Sequence, residues 1–334
     1  MTLYKMKSFL NSYFPHLTDL KIESLKGDGG HRSYTRLRKG SQTFMLMSCG
    51  PADPSLKLFI NIQLRLKNFV HVPQIFYSDL KEGFLLLEDL GSETLEDIFF
   101  QSDEASQISC YQKALKQLIK LQTQVKVQTG DPVFDKRFFL KEIEQALCDL
   151  ELYLQKALNK IGFDKNSSQA FKKEMDEIVS CFKPEDYVYC HRDYHSRNLM
   201  LKSNQIFVID FQDAGQGPFF YDLSSLLYDS YVSLKDKQGL LLFYFETAPD
   251  FLKKKAQSLA QLERMTKLQF LQRGFKACGR FAAFKNESNR DTHLKYLTPS
   301  LQLLKQTAQT LNYEGISNYA RFLIQALKEI DSSR

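Results

Sequence analysis

Short apolar runs separated by turn residues dominate the first ninety positions, a pattern typical of β-strands. These runs predict five strands, at residues 20–26, 33–38, 43–47, 74–77 and 83–87. Residues 55–68 instead carry apolar side chains close to helical spacing, and Pro54 suits the first turn of a helix. We therefore expect a small sheet with one helix.

After about residue 92, apolar residues recur every three or four positions, which predicts a mainly helical region. The predicted helices cover residues 94–100, 107–124, 138–160, 168–182 and 252–285, with others from 223, from about 239 and at the C terminus. A predicted hairpin interrupts them, with strands at 199–201 and 206–209. The pattern indicates an α+β fold of the two-lobed, protein-kinase-like type, with a small antiparallel sheet lobe at 1–90 and a larger, mainly helical lobe at 91–334.

One motif beside this hairpin points to a chemistry. His191, Arg192 and Asp193 follow an apolar run, Asn198 comes five residues after Asp193, and Asp210 ends the second hairpin strand. Phosphoryl transfer needs a carboxylate facing the attacking hydroxyl, and an amide and a second carboxylate that hold Mg²⁺. Because the order and spacing match the catalytic loop of protein kinases, we predict Asp193 as the catalytic base and Asn198 and Asp210 as magnesium ligands. We give His191 no catalytic role.

A glycine-rich segment lies between the first two predicted strands, where kinases cover the nucleotide phosphates. Glycines let the backbone approach anions closely, so we assign Gly27, Gly29, Gly30 and Arg32 to nucleotide binding. The G-x-G-x-x-G pattern is incomplete, because Arg32 occupies its last position. An ordinary hairpin turn is the alternative interpretation.

The third predicted strand lacks the lysine that clamps the phosphates in protein kinases, since Met45 and Met47 occupy this region. The helix that follows offers no glutamate to pair with such a lysine. Candidates for the missing positive charge are Lys57, Arg65 and an arginine of the glycine-rich segment. Arg32 or Arg36 could reach a phosphate, but as exposed strand charges these two arginines could equally have no role.

The segment after Asp210 is short. About ten residues later, residues 217–222 begin the next predicted helix, which leaves no room for the activation segment that seats a peptide. A small hydroxyl acceptor is therefore expected. Asp213 is either a second metal or substrate group or a turn former, whereas Asp222 is predicted to bond the backbone near the catalytic loop.

Composition limits the remaining possibilities. The 334 residues are 43% hydrophobic and 25% charged, and the net charge of +6 is spread along the chain rather than gathered in a tail for nucleic acid or membranes. Six cysteines without a C-x-x-C pair are predicted to be buried small hydrophobes. We find no signal peptide, and the longest apolar run, 240–245, is too short to cross a bilayer. We expect a cytoplasmic monomer.

At its motifs the chain resembles the aminoglycoside phosphotransferase and choline kinase superfamily, whose signature is H-x-D-x-x-x-x-N followed by I-D. It is most similar to the bacterial cell-wall kinases that phosphorylate the anomeric hydroxyl of N-acetylmuramate and N-acetylglucosamine. The segments that carry the resemblance are 27–37, 83–91, 191–200, 208–231 and 271–282. The third strand of that branch also tends to carry methionine in place of lysine.

The resemblance implies a kinase that uses ATP and Mg²⁺ and acts in peptidoglycan recycling. It implies that Glu88, Asp89 and Leu90 hold the adenine through backbone groups. It also suggests four polar residues that face the sugar: Asp213, Asp229, Arg273 and Lys276. The helix that contains the last two has a plainer interpretation, in which its apolar residues form core and its charges are solvated.

Two other functions remain open at this point. A kinase for an aminoglycoside, choline or another alcohol would need an acidic pocket for a cationic acceptor, so the charges in the helical lobe discriminate. A nucleotide-binding pseudokinase that serves as an interaction module is favoured by the missing lysine. The intact set of Asp193, Asn198 and Asp210 argues against it.

Overall fold

The apolar runs and helical patterns form an α+β structure, as predicted, in a computed structural model that describes residues 3–13, 20–25, 32–158 and 165–332. The chain divides into two units. Unit 1 comprises Met1–Ser102 and Arg197–Asp213, and unit 2 comprises Asp103–Ser196 and Ala214–Arg334. Unit 1 therefore extends past the predicted boundary at residue 90 and includes the predicted hairpin.

Unit 1 is built on a five-stranded antiparallel sheet with strands β1 (Lys21–Leu25), β2 (Ser33–Lys39), β3 (Gln42–Ser48), β4 (Ile75–Asp79) and β5 (Phe84–Glu88). Their order in the sheet is β1-β2-β3-β5-β4. Leu37, Phe44 and Leu86 form a core with Phe9 and Leu10 of the first helix, α1 (Leu3–Tyr13). The prediction of a single helix in the first ninety residues was wrong, since it included the helix at 55–68 and missed α1. Helix α1 is short, and the packing of its apolar face on the sheet stabilises it.

The rest of unit 1 consists of α2 (Pro54–Leu66), α3 (Leu95–Gln101) and the hairpin of β7 (Leu199–Lys202) and β8 (Gln205–Val208). Asp53 caps α2 by accepting the N–H of Ser55 at 2.8 Å. Ser203 and Asn204 both have positive φ, 49° and 61°, as a two-residue hairpin turn of type I′ requires. The predicted turn is therefore confirmed.

Unit 2 is mainly helical within the described residues. Its helices are α4 (Glu104–Gln124), α5 (Lys136–Leu158), α6 (Lys165–Ser180), α7 (Phe220–Leu227), α8 (Lys237–Thr247), α9 (Asp250–Ala256), α10 (Leu259–Ser288), α11 (Leu297–Thr310) and α12 (Glu314–Ser332). Strands β6 (Tyr187–Cys190) and β9 (Gly215–Pro218) pair antiparallel. Helices α5 and α10 meet at Gly279, where a Cβ atom would lie 2.4 Å from the Cα of Ala146. Any larger residue would therefore push the two helices apart.

Two local predictions were wrong. The single helix predicted at 252–285 is two helices, because Gln257 adopts a φ of 62° and Ser258 caps α10 by accepting the N–H of Gln261 at 3.1 Å. The cysteines are not all buried, since Cys148 is exposed and Cys181 is half-buried. None of the described helices is both long and apolar enough to span a bilayer.

Candidate functional site

The loop after β6 is held in place by a buried carboxylate. Asp222, in the first turn of α7, accepts the N–H of His191 at 2.6 Å and the N–H of Arg192 at 2.9 Å. Arg192 has a φ of 80°, a left-handed conformation that only such surrounding contacts make tolerable. The predicted backbone contact of Asp222 is therefore present, and it fixes the main chain next to Asp193.

Two more contacts fix the same loop. Asp229 is buried, and its carboxylate accepts the N–H groups of Ser196 and Tyr231, each at 2.8 Å. The hydroxyl of Tyr194 donates to the carbonyl of Ala114 at 2.8 Å. Asp229 was expected to face the sugar. In the structure its carboxylate accepts hydrogen bonds from main-chain N–H groups.

Asp193 carries the central carboxylate of unit 2. Its Oδ1 atom lies 3.1 Å from Nζ of Lys276 and 3.3 Å from Nη2 of Arg273, and its side chain is 33% exposed. Burial alone would raise the pKa of Asp193, but the positive charges of Lys276 and Arg273 outweigh it and hold the pKa well below the usual range. Asp193 is therefore an ionised, weakly basic carboxylate.

A second carboxylate, that of Glu142, contacts residues around Asp193, and the sequence analysis did not identify it. Glu142 on α5 accepts a bond from Arg192 at 3.2 Å and from Gln272 at 3.1 Å, and lies 3.8 Å from Nζ of Lys276. Nothing in the local sequence marks Glu142, since it is one of many charged residues on an amphipathic helix.

His195 lies two residues after Asp193 in the same loop. Burial lowers the pKa of His195 to about 3, so its imidazole is neutral.

In unit 1, a main-chain hydrogen bond links the first predicted metal ligand, Asn198, to the residue that precedes the second, Asp210. Asn198 ends a turn of 3₁₀ helix, and its carbonyl accepts the N–H of Ile209 at 3.0 Å. Asp210 follows with a φ of 62°, and its exposed carboxylate accepts Nε2 of Gln212 at 2.8 Å. Amide and carboxylate oxygens are the ligands that Mg²⁺ prefers. The exposed Asp213 ends the next 3₁₀ turn.

Three residues of the glycine-rich segment, Gly27, Gly29 and Gly30, lie outside the described residues. Arg32 is described, and its guanidinium carbon lies 5.8 Å from the ring centre of Phe59. That ring packs on Phe211 with centres 4.7 Å apart. Arg32 therefore lies against Phe59 of α2, and Phe59 in turn packs on Phe211, the residue that follows Asp210.

Arg36 has a different role from the one considered for it. It is buried, and its guanidinium donates to both carboxylate oxygens of Asp89, at 2.8 and 3.0 Å, and to the carbonyl of Gly91 at 2.6 Å. The alternative of an exposed strand charge was therefore wrong for Arg36. Of the other candidates, Lys57 is exposed and Arg65 is half-buried.

The segment after β5, predicted to hold adenine, is tied to the hairpin. Lys202 on β7 donates to the carboxylate of Glu88 at 2.7 Å and to the carbonyl of Asp89 at 2.8 Å. Leu90 is buried. Since Arg36 holds the same segment from β2, residues on two separate strands determine its position.

Asp89→Ala is expected to lower the free energy of unfolding by about 3–5 kcal/mol, because it leaves the buried charge of Arg36 without its partner. Thermal and urea denaturation measure the loss. Replacing both partners, as Arg36→Met with Asp89→Leu, should cost less than the single change. A single variant as stable as wild type would show that the pair does not stabilise unit 1.

Comparison with known proteins shows which family model and which proteins the chain matches. A model described as "Phosphotransferase enzyme family" matches residues 21–294. A protein of Neisseria meningitidis serogroup B named N-acetylmuramate/N-acetylglucosamine kinase is 26% identical over 91% of this chain and 90% of its own length. A protein of the same name from Pseudomonas aeruginosa is 30% identical over 81% of this chain and 78% of its own.

Solved structures agree on the fold. An ADP-bound aminoglycoside phosphotransferase aligns with a TM-score of 0.62 and 16% identity over 90% of this chain and 97% of its own. A choline kinase from Cryptosporidium parvum aligns with a TM-score of 0.63 and 14% identity over 95% of this chain and 97% of its own. The predicted kinase-like fold is therefore confirmed.

Proposed function

Because the chain belongs to the phosphotransferase enzyme family, we propose that it transfers the terminal phosphoryl group of ATP to a sugar hydroxyl with the help of Mg²⁺. The acceptor proposed is the anomeric hydroxyl of N-acetylmuramate or N-acetylglucosamine, the sugars in the names of its relatives. We also propose that it works as a monomer in the cytoplasm, in peptidoglycan recycling.

The nucleotide side of this proposal rests on unit 1. The main chain at Glu88, Asp89 and Leu90 would hold the adenine, and Asn198 and Asp210 would hold Mg²⁺. The metal would neutralise charge on the phosphates during transfer. Arg32 is the better candidate to replace the missing lysine, because Arg36 is already paired with Asp89. Gly27, Gly29 and Gly30 would cover the phosphates.

The observation that carries the choice of hydroxyl is the contact of the Asp193 carboxylate with two cations, Lys276 and Arg273. These contacts stabilise the carboxylate and make it a weak base. A weak base suits an acidic hydroxyl, and the anomeric hydroxyl is the most acidic on a sugar because the ring oxygen withdraws charge. Asp193 would orient this hydroxyl and accept its proton late in the transfer.

The charges around Asp193 argue against a cationic acceptor. Four carboxylates lie in or next to the catalytic loop of unit 2, and each already has partners. They are Asp193 with two cations, Glu142 with Arg192 and Gln272, and Asp222 and Asp229 with two main-chain N–H groups each. An aminoglycoside or choline would need a carboxylate that does not already have partners within the protein. A neutral or anionic sugar fits this site better.

The expected product is a sugar 1-phosphate. Purified protein with ATP and Mg²⁺ is incubated with N-acetylmuramate or N-acetylglucosamine, and the product is examined by phosphorus NMR. A phosphate on the anomeric carbon couples to the anomeric proton, which identifies the position directly. Choline and an aminoglycoside serve as comparison acceptors. Phosphate on another hydroxyl, or turnover with these two compounds alone, would contradict the proposed acceptor.

A further inference from the structure

Arg273 and Lys276 lie almost one turn apart on α10 and contact the same oxygen of Asp193. The side chain of Arg273 is 9% exposed, and within the described residues its Nε has no hydrogen-bond partner. Lys276 is 20% exposed, with one contact at 3.1 Å to Asp193 and a longer one of 3.8 Å to Glu142. Both cations therefore have donor capacity that the protein uses only in part.

Unused donors on a buried guanidinium are costly, so they indicate an acceptor group that arrives with a ligand. A carboxylate is the natural match for such donors, because its two oxygens accept from a guanidinium in a bidentate arrangement. The donors lie beside Asp193, which the proposed function places at the reacting hydroxyl. The matching carboxylate would therefore belong to the acceptor itself.

We propose that Arg273 and Lys276 bind a carboxylate of the acceptor sugar and so make the enzyme prefer an acceptor that carries one. This inference rests on the proposed function. The two sugars named for the relatives provide a matched pair of probes. N-acetylmuramate carries a carboxylate on its lactyl ether, and N-acetylglucosamine has the same ring without it.

A competing role for the two cations is contact with the phosphoryl group in transit. The two roles predict different kinetics. Loss of a phosphoryl contact lowers kcat/KM equally with both sugars, because the same group moves in each reaction. Loss of a carboxylate contact lowers kcat/KM mainly with N-acetylmuramate and raises its KM.

The test measures kcat/KM for both sugars with wild type, Lys276→Met and Arg273→Lys. The ratio of N-acetylmuramate to N-acetylglucosamine is expected to fall about 10- to 100-fold in Lys276→Met, the effect of a hydrogen bond to a charged group. Arg273→Lys keeps the charge but loses the planar fork, so it should give a smaller fall. Arg280→Met changes a 55% exposed cation two turns further along α10 and should leave the ratio unchanged.

An equal loss with both sugars in Lys276→Met and Arg273→Lys would overturn the inference. Thermal denaturation shows whether each variant is folded. Because Lys276 is more exposed than Arg273, the Lys276→Met variant still tests the inference if the Arg273→Lys variant unfolds. Turnover by wild type with an unchanged ratio in both variants would overturn the inference alone. No turnover of either sugar by wild type would overturn the proposed function, and the inference with it.

Discussion

Replacing Asp193 with asparagine is expected to lower kcat by at least about a hundredfold, while the affinity for ATP remains close to that of wild type. A fall in kcat of this size is usual when a general base is removed. Asparagine has the same shape but cannot accept the proton of the acceptor hydroxyl. ATP binding should persist, because the residues proposed to hold Mg²⁺ are Asn198 and Asp210.

Steady-state kinetics with the accepted sugar and calorimetric titration with ATP measure the two effects. Asp250→Asn is a matched control, because Asp250 is an exposed aspartate in the first turn of α9. Thermal denaturation is needed as well, since the variant leaves Arg273 and Lys276 without their charged partner. Unchanged turnover in a folded Asp193→Asn variant would rule out the base assignment.

Asp210→Ala is expected to weaken both the binding of magnesium-ATP and the rate. A metal bridges protein and phosphates in this chemistry, so loss of a ligand affects binding before any bond is broken. Loss of an outer-shell partner typically costs 10- to 100-fold in metal affinity or activity, and loss of a direct ligand should cost about 100-fold or more. The effect on ATP affinity should disappear when Mg²⁺ is omitted.

Titration of ATP with and without Mg²⁺ separates the metal contribution from the rest. Asp213→Ala provides the comparison, because Asp213 is an exposed carboxylate only three residues further along the chain. A similar loss in Asp213→Ala would identify a second metal group, whereas no loss would exclude the metal role and leave a substrate group or a turn former. Metal-dependent affinity equal to wild type in Asp210→Ala would exclude its role as a ligand.

The sequence by itself determined most of the strands and helices and the order of the chemical motif. It missed β9, because residues 217 and 218 were expected to begin a helix. The features that it determined depend on neighbouring positions along the chain. Apolar spacing identifies strands and helices over a few residues, and the five-residue interval from Asp193 to Asn198 is equally local. The hairpin that ends before Asp210 was visible for the same reason.

Only the tertiary structure decided which charges meet. Arg36 and Asp89 are 53 positions apart, and Asp193 lies 80 and 83 positions from Arg273 and Lys276. No local pattern distinguishes these charges from solvated ones on an amphipathic helix. The packing of α10 and of the β-sheet brings them within 3.3 Å of their partners. Electrostatic interaction depends on separation in space and on burial, and both are properties of the folded chain alone.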